Sequence, residues 1–174
     1  MLYNEILTKM GGAARSRSTR QGATSRRLFL RVALLLAVLL LAAQWLIVAT
    51  TINGTSMAPT LRNGQLAFAC TQAYRWCKPK RGDLVLVSTG KEMLIKRVVG
   101  LPGENVAIHD SKVYVNGQAL TEPYAKWLGS WEVSEGQLGA DRYAIVGDNR
   151  SGPRGNFLLA VVGRDRILGR LVWY

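Results

Sequence analysis

Eighteen consecutive uncharged residues, Val32 to Ala49, constrain this chain more than any other feature. The run reads VALLLAVLLLAAQWLIVA, with Gln44 its one polar side chain. An α-helix rises about 1.5 Å per residue, so about 20 apolar residues cross a hydrocarbon core of roughly 30 Å. The run therefore predicts a membrane-spanning helix, which Leu28 and Phe29 can extend at its amino end. Residues 1–31 hold seven basic side chains (Lys9, Arg15, Arg17, Arg20, Arg26, Arg27, Arg31) and one acid, Glu5, which is half of the chain's formal charge of +12. Lysine and arginine flanking a span stay on the cytoplasmic side, so the N-terminus is expected in the cytoplasm and everything after Thr50 across the membrane. Trp45 fits an aromatic anchor at the outer interface. A cleaved export leader fits less well: its apolar stretch is about 7–15 residues and ends in an A-x-A-like site, and TTINGTSM offers none. Beside a spanning helix, the basic cluster reads as a topology signal or a lipid-headgroup contact, and no nucleic-acid partner is expected.

The chain divides accordingly into a basic cytoplasmic segment (1–31), an anchor (32–50) and an extracytoplasmic part (51–174), the last long enough to bury a core of its own. Short runs rich in valine, isoleucine and leucine fill it: 65–70, 83–89, 93–101, 105–110, 112–117, 142–147 and 167–174. Turn pairs separate them, among them Asn63-Gly64, Arg81-Gly82, Pro102-Gly103 and Asn116-Gly117. No long 3.6-residue period occurs after Thr50. The expected fold class is mainly β, an antiparallel barrel-like or sandwich-like domain behind a single N-terminal transmembrane helix. Thr121 to Gly139 is the least regular stretch and reads as a loop or flap. Cys70 and Cys77, with the single histidine His109, do not make a four-ligand zinc site. A disulfide between them and two free thiols are equally compatible with the sequence.

The chemistry points to one serine and one lysine. Gly54-Thr55-Ser56-Met57-Ala58-Pro59-Thr60-Leu61 follows the apolar run closely. A serine beside glycine and proline is most often a turn residue, and a nucleophilic serine needs a base. His109 sits in an apparent hairpin turn, HDSK, and is poor material for a Ser-His-Asp triad. A lysine can serve instead if burial pulls its pKa from about 10.4 toward 7–8. Lys96, inside Leu94-Ile95-Lys96-Arg97-Val98-Val99, is placed for that. Its plainer reading is a snorkelling or edge-strand lysine. Side-chain alternation puts Arg97 on the opposite face, as an ion-pair member.

Ser56-Met57-Ala58-Pro59-Thr60-Leu61 behind an anchor, then Gly82-Asp83-Leu84-Val85-Leu86-Val87, then Ile95 to Glu104 (IKRVVGLPGE), then Gly147-Asp148-Asn149-Arg150, resembles bacterial type I signal peptidase, in the family's own order. The likeness covers residues 52–174. It implies a Ser/Lys serine endopeptidase that removes signal peptides from exported pre-proteins after small residues. Ser56 matches the nucleophile and Lys96 the general base. The Ser56 backbone N–H matches one oxyanion donor, while Gly54 stands where some members carry a second, hydroxyl donor. Asp148 matches a structural partner of Arg97, and Met57, Leu61, Leu94 and Ile95 match the lining of shallow apolar pockets. The implied partners are signal-peptide-bearing pre-proteins and the lipid bilayer, at the plasma or inner membrane. No cofactor and no metal is implied. One departure stands out: the family's Ser-x-Asp-Ser-Arg stretch is replaced here, with Pro153 where a lysine-orienting serine is expected and Ser151 the nearest hydroxyl. A maturation peptidase with narrow substrates, or a non-catalytic anchored relative that binds hydrophobic segments, are the alternatives.

Overall fold

In the computed structural model, residues 25–42, 46–126, 129–151 and 159–174 are described. Most of the basic cluster, Trp45 and Pro153 lie outside them. Residues 25–42 are helical. Among the described residues, no helix is long and apolar enough to cross a membrane. The apolar run does not stay helical to its end. Its last residues open strand β1 (Ile47–Thr51), which pairs antiparallel with β2 (Leu66–Cys70) from Ile47↔Cys70 to Thr51↔Leu66. A short apolar run with β-branched residues suits either state, and here pairing with β2 decides it. The compact β unit accordingly begins at Leu46.

The remaining strands are β3 (Leu84–Ser88), β4 (Met93–Gly100), β5 (Asn105–His109), β6 (Lys112–Val115), β7 (Gln118–Ala119), β8 (Val133–Gln137), β9 (Arg142–Val146), β10 (Ala160–Gly163) and β11 (Ile167–Trp173). They form a seven-stranded sheet in the order β1-β2-β11-β3-β4-β9-β10 and a four-stranded sheet in the order β7-β6-β5-β8, with every strand pair antiparallel. The expected mainly β class holds, but no barrel closes: β1 and β10 are the open edges of the large sheet. The flap expected over Thr121 to Gly139 also needs correction. It contains β8, which pairs with β5, and its alternating pattern is obscured because four of the five β8 residues are exposed.

Strand β3 explains how one sheet supports two cores. Its side chains alternate between faces. Leu84 and Leu86 join Ile52, Met57, Leu61, Ala67, Ala69 and Leu171 on one side, while Val85 and Val87 join Tyr74, Val98, Tyr143, Ile145 and Ile167 on the other. A third cluster, Val99, Val106, Ile108, Val113, Trp131, Leu138, Ala144 and Val146, joins the β4 and β9 end of the large sheet to the small one. The β5–β6 turn places Asp110 and Ser111 at φ 47° and 61°, and Asn116-Gly117 follows at 51° and 78°. Paired positive φ values are what tight hairpin turns matching the strand twist require.

Candidate active site

The Ser56 turn is pinned from below. Met57 and Leu61, one helical turn apart and joined by a Leu61 N–H to Met57 O bond of 2.9 Å, are both buried in the core under β3. The Ala58 N–H donates to Thr55 O at 3.1 Å, and the Gly54 N–H to Asn63 Oδ1 at 2.8 Å. Gly54 sits at φ 96°, in the left-handed region where side chains other than glycine are strained. With its apolar neighbours turned inward, half-buried Ser56 lines the mouth of a cleft.

From the side, the segment after β9 clamps the same turn. The Asn149 N–H donates to Ser56 O at 3.1 Å and Asn149 Nδ2 to Thr55 O at 3.0 Å. Gly147 lies so close that a methyl on its α carbon would meet the Ser56 carbonyl oxygen at less than 3 Å. This close approach is a reason for glycine that does not depend on φ.

Lys96 enters from β4, only 6 % exposed, on the wall of the same cleft. Burial pushes its ammonium down from 10.5 to about 8, against the opposing pull of the Asp148 and Glu92 carboxylates. Taking an ammonium out of water disfavours its charged form. Its neighbour Arg97 has a different task. Arg97 Nε and Nη2 donate to the two oxygens of Asp148 at 2.8 and 2.6 Å, Nη1 donates to Gly82 O at 2.8 Å, and the guanidinium lies 3.8 Å from the Tyr124 ring centroid. The Thr60 hydroxyl adds a 2.5 Å bond to Asp148, tying the ion pair to the Ser56 turn.

The cleft, about 290 Å³, is lined by residues 50–53, Ser56, Met57, Leu86 and Glu92 to Lys96. Ser56, Met57, Leu94, Ile95 and Lys96 thus meet in one place. Leu61 does not line it; a full turn beyond Met57, its side chain points into the core and is wholly buried. No hydrogen bond joins Ser56 to Lys96, and in an enzyme without substrate such bonds are often long. Ser151, the hydroxyl nearest the Pro153 position in sequence, donates to Asn149 Oδ1 at 2.6 Å instead. His109 ends β5 on the small sheet, its Nδ1 2.9 Å from Glu132 Oε2, away from the cleft-lining residues. Cys70 and Cys77 are both free thiols. Sequence reasoning missed Thr50, Thr51, Ile52, Asn53, Leu86, Glu92 and Met93 as lining. The first two were hidden at the end of the apolar run, and Leu86 looked like an ordinary strand residue.

A family model described as signal peptidase, peptidase S26, matches residues 25–173. This chain belongs to the S26 signal peptidase family. The match spans all four boxes read from the sequence, and the fold converges them: Ser56 and Lys96 share a cleft, Gly82 O receives Arg97, and Gly147 to Arg150 clamp the Ser56 turn. Among signal peptidases, a probable signal peptidase I-2 of Synechocystis sp. is 32% identical over 127 residues, covering 68% of this chain and 58% of its own length. Signal peptidase I of Leptolyngbya laminosa is 31% identical over 131 residues, covering 70% of this chain and 64% of its own. Signal peptidase I T of Bacillus subtilis is 32% identical over 151 residues, covering 79% and 77%. The chain therefore spans less than two thirds of the length of the first two relatives. A crystal structure of a signal peptidase I from Enterococcus faecalis aligns with TM-score 0.40 and 25% identity, over 55% of this chain and 97% of that one.

Proposed function

We propose that this chain is a type I signal peptidase, a membrane-bound serine endopeptidase that cleaves signal peptides from exported pre-proteins after small residues. One observation carries the reading: a buried lysine whose pKa is lowered to about 8 shares a small cleft with the serine of the family's first box. Near neutral pH a useful fraction of Lys96 is then the free amine, the only form able to accept a proton.

In the proposed reaction, Lys96 Nζ takes the Ser56 hydroxyl proton as Oγ attacks the scissile carbonyl carbon. The ammonium returns that proton to the leaving amine as the C–N bond breaks, leaving an ester on Ser56. Water, deprotonated by the same amine, then attacks the ester carbonyl; the bond to Ser56 Oγ breaks, Oγ takes the proton back from Lys96, and the signal peptide departs as a carboxylate. The Ser56 backbone N–H is assigned one oxyanion contact; at Gly54 there is no side chain to supply another. Met57, Leu86, Leu94 and Ile95 make the cleft walls apolar and close, which favours alanine-sized side chains by excluding larger ones.

Anchorage follows the sequence. The described helix runs to Ala42, and from Leu28 to that residue Arg31 is its only charge over a length of about 22 Å. Within its described part, Leu28, Leu34, Leu35, Leu39 and Leu40 are all exposed, a surface suited to lipid. Arg31 lies near the amino end, from which its side chain reaches the headgroups. Confining the enzyme to the membrane that holds the substrate's hydrophobic segment raises the effective concentration of the cleavage site.

The test is cleavage of a purified pre-protein with an Ala-x-Ala site, in detergent or lipid, by wild type, Ser56→Ala and Lys96→Ala side by side. Cleavage after the small residue by wild type alone, with both variants folded, is the expected result. A folded wild type that cuts neither this substrate nor a wider pre-protein panel would instead identify a non-catalytic relative.

A further inference from the structure

The largest wholly buried charged side chain in the described residues lies outside the cleft and has no place in the reaction above. Arg150 is 0 % exposed, the largest fully buried side chain. An arginine so placed is strongly destabilising unless its charge is matched and its donors are used. Its fork reaches three elements: Nε donates to Gly147 O at 2.7 Å, Nη1 to Ser111 O at 2.7 Å and Nη2 to Glu122 Oε1 at 2.6 Å. Glu122 supplies the only carboxylate, itself almost wholly buried, and its second oxygen accepts the Val113 N–H at 3.2 Å.

We propose that Glu122 is a positioning residue for signal-peptide cleavage, acting through Arg150 to hold the turn that carries Ser56. The route is continuous. Glu122 fixes the guanidinium, and the guanidinium folds back to hold the Gly147 carbonyl three residues before it. Gly147 abuts the Ser56 carbonyl, and Asn149 between them bonds both Ser56 and Thr55. Ser111 completes the mount: held in the left-handed region at φ 61°, with its hydroxyl accepting the Trp131 N–H at 2.9 Å, it aims its carbonyl at Arg150. The chain after Glu122 reinforces the clamp, since the Arg150 N–H donates to Lys126 O at 3.3 Å and the Gly129 N–H to Arg150 O at 2.7 Å. Neither Glu122 nor Arg150 is among the residues that line the cleft. A displacement of about 1 Å at a nucleophile is enough to slow attack by about 100-fold.

The inference rests on the cleavage reading above, and its test separates the two. Wild type and Glu122→Gln are compared on the Ala-x-Ala pre-protein at a temperature where circular dichroism shows both folded. The expected result is a kcat at least tenfold lower, a KM within twofold, and an unchanged midpoint of the acid limb of the pH–rate profile. A folded variant with kcat within twofold of wild type would reduce Glu122 to a structural part. A moved acid limb with an intact plateau would show action on the charge of Lys96 instead, and would overturn the proposal equally. If Glu122→Gln does not fold, Arg150→Lys, which keeps the charge and loses the fork, is read in the same way. Should the wild type cleave nothing, the cleavage reading fails by itself. Amide hydrogen exchange then decides the positioning claim: faster exchange across residues 55–61 in Glu122→Gln supports it, and unchanged exchange overturns it.

Discussion

Gly147 and Ser56, 91 positions apart in sequence, meet so closely that the α carbon of one leaves no room for a methyl beside the carbonyl oxygen of the other. Gly147→Ala is therefore expected to push the Ser56 turn outward. Because the obstructing atom is backbone rather than a flexible side chain, relief requires moving Ser56 itself. A fall in kcat of about 100-fold with the secondary structure retained is the expected outcome. Steady-state kinetics beside a circular dichroism spectrum check it, and normal kcat in the variant would show that the contact is not rigid.

The pH dependence follows from Lys96. With its pKa lowered to about 8, kcat/KM should rise about tenfold per pH unit below that value and level off above it. A profile flat from pH 5 to 8 would remove Lys96 from the role of base.

The same burial affects stability. The folded-state pKa lies below the unfolded one, so between about 8 and 10.5 the unfolded chain binds more protons and stability rises with pH. Below about 8 the full penalty of the buried charge is present, at most about 3 kcal/mol. Lys96→Met should thus be inactive yet more stable than wild type at pH 7, as read by urea midpoints. A lower midpoint would mean that Lys96 contributes contacts outweighing its desolvation.

Asp148 serves Arg97 and Lys96 at once. Asp148→Asn leaves a buried guanidinium without its charge partner and should cost about 3–5 kcal/mol of stability. It also removes a carboxylate that holds the Lys96 ammonium, so the acid limb of the residual activity should move to lower pH. Movement upward would contradict the assigned sign.

Leu86 faces Ile95 across the β3–β4 ladder and closes the cleft floor. Leu86→Ala should raise kcat/KM for a valine-bearing site relative to an alanine-bearing one by about tenfold or more. The same cavity should cost about 2–5 kcal/mol of stability. An unchanged ratio across a substrate panel would place the selective pocket elsewhere.

Much of this was legible in the sequence because it is local. Strands β2, β3, β4, β5, β6, β9 and β11 were marked by β-branched runs between turn residues, and Lys96 was conspicuous as a charge among valines. Strand β1 was not, since Ile47 to Ala49 are as apolar as the leucines before them and only β2, 20 residues further on, distinguishes strand from helix. Strand β8 was hidden by exposed polar residues. The Glu122–Arg150 pair was invisible for a deeper reason. It joins a loop to a segment 28 residues away, and no periodicity in either announces that both will be buried.

Strand β1 sets a fixed length inside the β unit. Its five residues, locked pair by pair to β2, form a strut of about 17 Å between Leu46, where the β unit begins, and the cleft wall at Thr51. Such a strut cannot stretch or shorten by one residue without turning every side chain to the other face. The β unit thus keeps its first residue and its cleft at one fixed separation, a spacer with no slack by which Ser56 could be drawn nearer to Leu46 or let further from it.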